Sequence, residues 1–96
     1  MDTFCGYNMF VWDENKRQDN IFKHGFDFID AEQVLTNAHV RIESSYQGIE
    51  KRFLAIGNIA GRFVTVVYTM RNGDYRIISM RSARDGERRA FEALYQ

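Results

Sequence analysis

The sequence predicts an α+β fold, an antiparallel sheet packed with helices whose elements run β-α-α-β-β-β-α. Three observations carry this. Arg62 to Met70 is rich in the β-branched residues that suit a pleated surface. Asn72-Gly73 joins it to a second strand-like run, Tyr75 to Ser82, and both turn residues tolerate the positive φ of a two-residue hairpin. Asp13 and Asp27 each precede a stretch of helical spacing, where a carboxylate accepts hydrogen bonds from the free N–H groups of a first turn.

Taken in order, residues 1–6 form a loose lead-in. Tyr7 to Trp12 alternates as a first strand, with Met9 and Val11 on one face and Phe10 and Trp12 on the other. A helix capped by Asp13 runs to Lys23, buries Ile21 and Phe22, and stops at Gly25, where a left-handed residue is wanted. Asp27 caps a second helix with Phe28, Ala31, Val34, Leu35 and Ala38 on its apolar face. Val40 to Ser44 alternates weakly, Arg52 to Gly57 more strongly, and Ile59 to Gly61 is a turn before the Arg62 strand. After the hairpin, Asp85 caps a last helix striped by Ala90, Phe91, Leu94 and Tyr95.

Ninety-six residues without proline, repeats or a low-complexity linker suit one domain, residues 1–96. Hydrophobic content of 45% and aromatic content of 15% supply a core and argue against disorder. The apolar runs are far shorter than the roughly 20 residues of a membrane helix, and no secretory leader is recognisable. A soluble, cytoplasmic protein is expected. The lone Cys5 is either an inert thiol or a nucleophile and can form no internal disulfide.

A net charge of zero conceals an asymmetry. Residues 1–50 hold nine carboxylates and four cations, a balance of −5, whereas residues 51–96 hold nine cations and four carboxylates, a balance of +5. Eight of those nine cations are arginines, whose planar forks match phosphate oxygens bidentately as lysine cannot. A polyanion, RNA above all, fits the C-terminal half; an ordinary solvated surface laced with ion pairs is the alternative.

Metal-site, phosphate-loop and nucleophile-elbow motifs are all missing, since His24, His39 and Cys5 stand apart in sequence. Neither a metal nor a cofactor is expected. His24 falls at the end of the first helix, where the dipole favours an imidazolium. It either hydrogen-bonds the last carbonyls or exchanges protons with a reacting oxygen. Strand parity puts Arg76 with Ile78 and Met80, and Arg81 with Tyr75, Ile77 and Ser79, so regular pleating separates the two arginines. They converge only through strong twist, a bulge, or a strand that ends before Arg81. Tyr68 and Tyr75 belong either to the core or to a base-stacking surface.

Three stretches together resemble the BrnT toxin family, the ribonuclease half of a toxin–antitoxin pair. They are Trp12-Asp13-Glu14-Asn15-Lys16 with Asn20, Lys23-His24-Gly25 and Phe28; Arg52-Phe53-Leu54-Ala55-Ile56-Gly57; and Val66-Val67-Tyr68-Thr69 with Arg71, Arg76-Ile77-Ile78-Ser79-Met80-Arg81 and Glu87-Arg88-Arg89. The segment Ser82-Ala83-Arg84-Asp85-Gly86 keeps only the alanine of the family's usual run, and the family's common Asp-Pro before the Arg52 strand is missing.

The resemblance implies a RelE-like fold and metal-independent RNA cleavage. It also implies a BrnA-type antitoxin as partner, with operator DNA met only through the antitoxin complex and no membrane. It makes His24, Arg62, Arg76 and Arg81 the catalytic candidates, with Lys23, Arg52, Arg71, Arg84 and Arg88 as RNA-binding candidates. In such chemistry the 2′-OH attacks phosphorus in line and guanidiniums stabilise the charge that builds on the equatorial oxygens. No carboxylate base stands out in the sequence. A non-catalytic binding module, or an inactive toxin relic that docks an antitoxin or nucleic acid, is the competing expectation.

Overall fold

The computed structural model describes residues 9–45 and 47–95. The lead-in, Cys5 and the expected start of the first strand at Tyr7 lie outside the described residues.

Five strands, β1 (Phe10–Val11), β2 (Val40–Glu43), β3 (Phe53–Ile59), β4 (Arg62–Arg71) and β5 (Asp74–Ser82), make one sheet in the order β1-β5-β4-β3-β2. Four strands, one more than the expected element order holds, thus stand between the second helix and the last, the weakly alternating Val40 run being a strand of its own. The four longer strands pair antiparallel, as expected. The short β1 differs: it lies parallel to β5, with Phe10 beside Tyr75 and Val11 beside Arg76. Parallel neighbours need a long crossover, and most of the chain lies between these two strands. Both hairpins are two-residue turns with positive φ at each central position. Ala60 (φ 51) and Gly61 (φ 86) close the first; Asn72 (φ 55) and Gly73 (φ 83) close the second. That geometry matches the right-handed twist of the strands it joins.

Helix α1 (Glu14–His24) starts as the sequence suggests, the Lys16 N–H donating to Asp13 Oδ1 at 3.1 Å. It ends at left-handed Gly25, whose N–H donates to the Ile21 carbonyl at 2.9 Å. Its buried face is not the expected one. Asn20 is the residue turned inward, Ile21 is half-buried and Phe22 is 91% exposed. At 3.6 residues per turn, Phe22 sits about 200° round from Asn20. The second helix is also shorter than its periodicity implies. Asp27 caps a 3-10 turn, Phe28–Asp30, by accepting the Ile29 N–H at 3.0 Å. Helix α2 (Ala31–Leu35) follows and stops short of Ala38; Thr36 Oγ1 and Asn37 Nδ2 donate to the carbonyls of Glu32 and Gln33.

Helix α3 (Asp85–Tyr95) was expected to be capped by Asp85, which is instead its first residue. The Arg84 carbonyl accepts the Arg88 N–H at 2.9 Å, and the Glu87 carboxylate reaches back to the Arg84 N–H at 2.8 Å. That is the acidic half of a capping box, made by the residue three past the cap.

The core lies between one sheet face and the segment from Phe26 to Leu35. Phe28, Ala31 and Val34 pack there against Ala55, Val64, Val66, Tyr68, Ile77 and Met80. Gly57 lets β3 approach α2 closely, because a Cβ there would stand 2.9 Å from Val34 Cγ1. On the opposite face α3 covers part of the sheet. Phe91 meets Phe63 edge-on at 5.6 Å, and the Tyr95 hydroxyl donates to the His39 carbonyl at 3.0 Å. Leu94, expected in the apolar stripe, is 63% exposed. No helix among the described residues is long and apolar enough to cross a membrane.

Candidate functional site

The sheet face opposite the core carries most of the candidate arginines, and an irregularity in β5 is what collects them. Val67 opposes Ser79 and Tyr68 opposes Ile77, so Ile78 is an extra residue with no partner on β4. Such a bulge inverts the alternation beyond it. Ile77 and Met80 therefore both enter the core, while Arg76, opposite Thr69, and Arg81, opposite Thr65, share the other face. The separation expected from regular pleating does not occur.

Helix α1 lies along the β5 edge and runs in the same direction. Lys16 lines a hollow with Arg76 and Ile78, and one turn on Asn20 binds Met80. Among the described residues β1 pairs with Tyr75 and Arg76, and the edge of β5 beyond them needs another partner. Asn20 supplies it at Met80, accepting the Met80 N–H at 3.1 Å and donating to its carbonyl at 2.9 Å, while Nδ2 also donates to the Phe26 carbonyl at 2.9 Å. Every polar atom of this buried amide thus has a partner, as burial demands.

Where β5 begins, a pocket of about 350 Å³ opens on this face, near the lower end of the range for ligand sites. Its polar lining is Lys16, Glu50, Arg52, Thr69, Arg71 and Arg76, four cations against one carboxylate. Ile78, the bulge residue itself, gives an apolar wall, and the fully exposed Ile49 stands at the rim. Arg71 grips Glu50 with both prongs of its fork, Nε at 2.9 Å and Nη2 at 2.7 Å. This contact holds the Glu50 carboxyl below its ordinary range, with Arg76 and Arg52 adding to the effect. The Arg76 guanidinium makes no side-chain hydrogen bond or salt bridge to the described residues, and reaches Glu50 only through its charge. The Thr69 hydroxyl donates to the Lys51 carbonyl at 2.6 Å and ties the approach to β3 against β4.

Where β5 ends, a second cationic group gathers. Arg81 donates to both oxygens of Glu87, at 2.8 and 2.9 Å, with side chains only 17% and 12% exposed. Glu87 also accepts from the Thr65 hydroxyl at 2.8 Å and from the Arg84 N–H. The Arg81 fork, opposed by burial and helped by these other donors, lowers the Glu87 carboxyl to about 2. The Arg84 and Lys23 side chains are exposed. Arg62 lies on the core side by strand parity and stacks over the Phe26 ring at 4.4 Å. His24, the last residue of α1, is exposed at this same end. Arg88 stacks over Phe63 at 4.7 Å and pairs with Glu92 at 3.2 Å.

The candidate residues therefore fall into two groups rather than one. Arg76 joins Arg52 and Arg71 at the pocket; His24, Arg62, Arg81, Arg84 and Lys23 lie toward the other end of β5. Glu50, Lys16 and Thr69 are pocket residues that the sequence did not single out. Tyr68 is buried and meets Tyr75 edge-on at 5.4 Å, while Tyr75 stacks on Phe10 at 5.0 Å, so both rings serve the core side of the sheet. Among the described residues no three of His, Cys, Asp or Glu come together in a way that could hold a metal ion.

Comparison with known proteins gives the fold a family. The model for the ribonuclease toxin BrnT of type II toxin–antitoxin systems matches residues 12–87. The crystal structure of the Brucella abortus ribonuclease toxin BrnT, at 1.1 Å resolution, is similar to this chain with a TM-score of 0.62 and 34% identity. That match covers 82% of this chain and all of the Brucella chain. No curated protein sequence matches. With a family model spanning most of its length and a solved relative sharing its fold, the chain belongs to the BrnT family of type II ribonuclease toxins.

Proposed function

We propose that this toxin cleaves single-stranded RNA without a metal, by attack of the 2′-OH on the adjacent phosphorus, and that the scissile phosphate sits in the pocket at the start of β5. The observation that carries this reading is Arg76, whose guanidinium makes no side-chain hydrogen bond or salt bridge to the described residues and acts on Glu50 only through its charge, in a hollow that also holds Arg52, Arg71 and Lys16. A dianionic phosphorane gains more from such a cationic set than the monoanionic diester does, which is the condition for catalysis rather than mere binding. The apolar surface of Ile78, with exposed Ile49 at the rim, suits the face of a base or sugar beside that phosphate. The donor chemistry supports the metal-free form, since the pocket offers cations and one carboxylate. Lys23, Arg84 and Arg88, nearer the other end, would steer the flanking backbone.

The partner is an antitoxin of the BrnA type, acting in the cytoplasm by covering the cationic face; operator DNA is reached only through that complex. Complementary charge would speed the encounter.

The test is cleavage of matched RNA and DNA strands in excess chelator. RNA alone is cut, and an RNA with one 2′-deoxy residue resists at that position, because the nucleophile is gone. Activity lost to chelator and restored by a divalent ion would overturn the mechanism. A second reading keeps the chemistry at the far end of β5, with His24 as proton donor and Arg62 and Arg81 as anion holders. It rests on His24 ending α1 in a cationic neighbourhood. Under it His24→Ala loses roughly 10²-fold or more in rate; under the pocket reading that variant loses little.

A further inference from the structure

The pocket contains one group of opposite sign, and its position suggests more than charge balance. We infer that Glu50 is the general base that takes the proton from the attacking 2′-OH, and that the substrate phosphate releases it for this task by drawing Arg71 away. The inference rests on the pocket being the cleavage site.

Among the described residues Glu50 is the only carboxylate that lines the pocket; Arg71, Arg76 and Arg52 act on it by their charge, and Lys16 completes the charged lining. In the free protein both of its oxygens are occupied by the Arg71 fork. A phosphate presents the same pair of acceptor oxygens in the same geometry and competes for that fork on equal terms. The competition is mild because the pair is open to solvent, with side chains 49% and 41% exposed. The Arg81–Glu87 pair at the other end of β5, largely enclosed and held by further donors, is not available for such an exchange.

The step balances without any added reagent. The O2′–H bond breaks and its proton passes to a Glu50 oxygen as the O2′–P bond forms. The P–O5′ bond then breaks, the 5′ oxygen takes a proton from water, and Glu50 gives its proton back to solvent. The products are a 2′,3′-cyclic phosphate and a 5′-hydroxyl end.

The exchange leaves a signature in pH dependence. Free Glu50 is held in its ionised form by Arg71, so the acid limb of kcat/KM lies below the ordinary carboxylate range. Once a phosphate has taken Arg71, part of that hold is gone. The acid limb of kcat then lies at higher pH than that of kcat/KM.

Single-turnover cleavage of a short RNA by purified toxin tests this with Glu50→Gln and Glu50→Ala. Both should cut roughly 10²- to 10⁴-fold more slowly, the range for loss of a general base. Their affinity for a 2′-O-methyl RNA of the same sequence should stay within a few-fold of the parent's. Added formate should restore part of the Glu50→Ala rate, which shows the carboxylate acting in a folded protein. Parent-like cleavage by Glu50→Gln with its acid limb intact would overturn the inference while leaving the pocket reading standing. So would a slow Glu50→Ala that no formate concentration rescues, or parent limbs of kcat and kcat/KM that coincide. A parent protein that cuts no RNA overturns the pocket reading itself, a result read before any variant is made.

Discussion

Two arginine–carboxylate pairs stand on the same sheet face and share the same two-pronged geometry, yet their surroundings give them different work. At the end of β5, Arg81 and Glu87 are nearly enclosed, and Glu87 takes two more hydrogen bonds from Thr65 and the Arg84 N–H. At its beginning, Arg71 and Glu50 are about half exposed and border a pocket beside Arg76. An ion pair removed from water is costly to break, because one charge is left behind without compensation. A pair open to water is weakly held, since solvent and salt already answer both charges. The enclosed pair therefore fixes structure, joining β4, β5 and the start of α3. The open pair can change partners, which is what a substrate-binding site requires.

Breaking the enclosed pair should have the largest effect on stability. Glu87→Ala removes the carboxylate that four donors share and leaves Arg81 with a poorly compensated charge; a loss of about 3 kcal/mol is expected in urea denaturation. The same pair predicts an acid-sensitive fold. The Glu87 carboxyl is lowered from 4.5 to about 2 in the folded protein. Its stabilisation is thus complete above pH 4.5 and lost as the pH falls towards 2. Glu87→Gln should be less stable at neutral pH and should lose less than the parent between those limits. An unchanged slope of stability with pH would show that another group carries the acid transition.

Asn20→Ala comes next, at about 2 kcal/mol, because it leaves the Met80 N–H, the Met80 carbonyl and the Phe26 carbonyl short of a partner in a buried site. It sharpens the comparison by asking whether the pocket end survives loosening of α1 from β5. Hydrogen exchange at Met80 should rise while Arg76, tied through β1, keeps its environment. The smallest stability effect belongs to the open pair. Arg71→Ala should move Tm by no more than about 2 °C, yet weaken RNA binding and reduce the salt dependence of that binding by about one phosphate contact. A large loss of Tm in this variant would erase the distinction between the pairs.

The two kinds of information were not equally legible in the sequence. The β4–β5 hairpin is written in β-branched residues and Asn72-Gly73, and the caps at Asp13 and Asp27 are local chemistry, so all were readable. The bulge was not. Ile77 and Ile78 are equally apolar and no glycine marks the site, so parity put Arg76 and Arg81 on opposite faces. Only pairing with β4 reveals the extra residue, and with it the shared face. The inward turn of Asn20 was hidden for a related reason: its partner is a strand edge sixty residues away. Glu50 lies in a connection without periodicity, and its meaning comes from Arg71 across the sheet. The cap of α3 by Glu87 rather than Asp85 was legible in principle, as a glutamate three residues past the cap position.

On the proposed function, chemistry belongs to the pocket end of β5 and architecture to the other end. This division is tested most directly by measuring single-turnover RNA cleavage and Tm side by side for Arg76→Lys and Arg81→Lys. Each change keeps the charge and removes the fork. Arg76→Lys should cut roughly 10²-fold more slowly, the scale of losing one oxyanion donor, with Tm almost unchanged. Arg81→Lys, which cannot satisfy both Glu87 oxygens, should melt about 5 °C or more below the parent and cut at close to the parent rate when folded. The reverse pattern, a stable but inactive Arg81→Lys beside an active Arg76→Lys, would contradict it and move the active site to the His24 end.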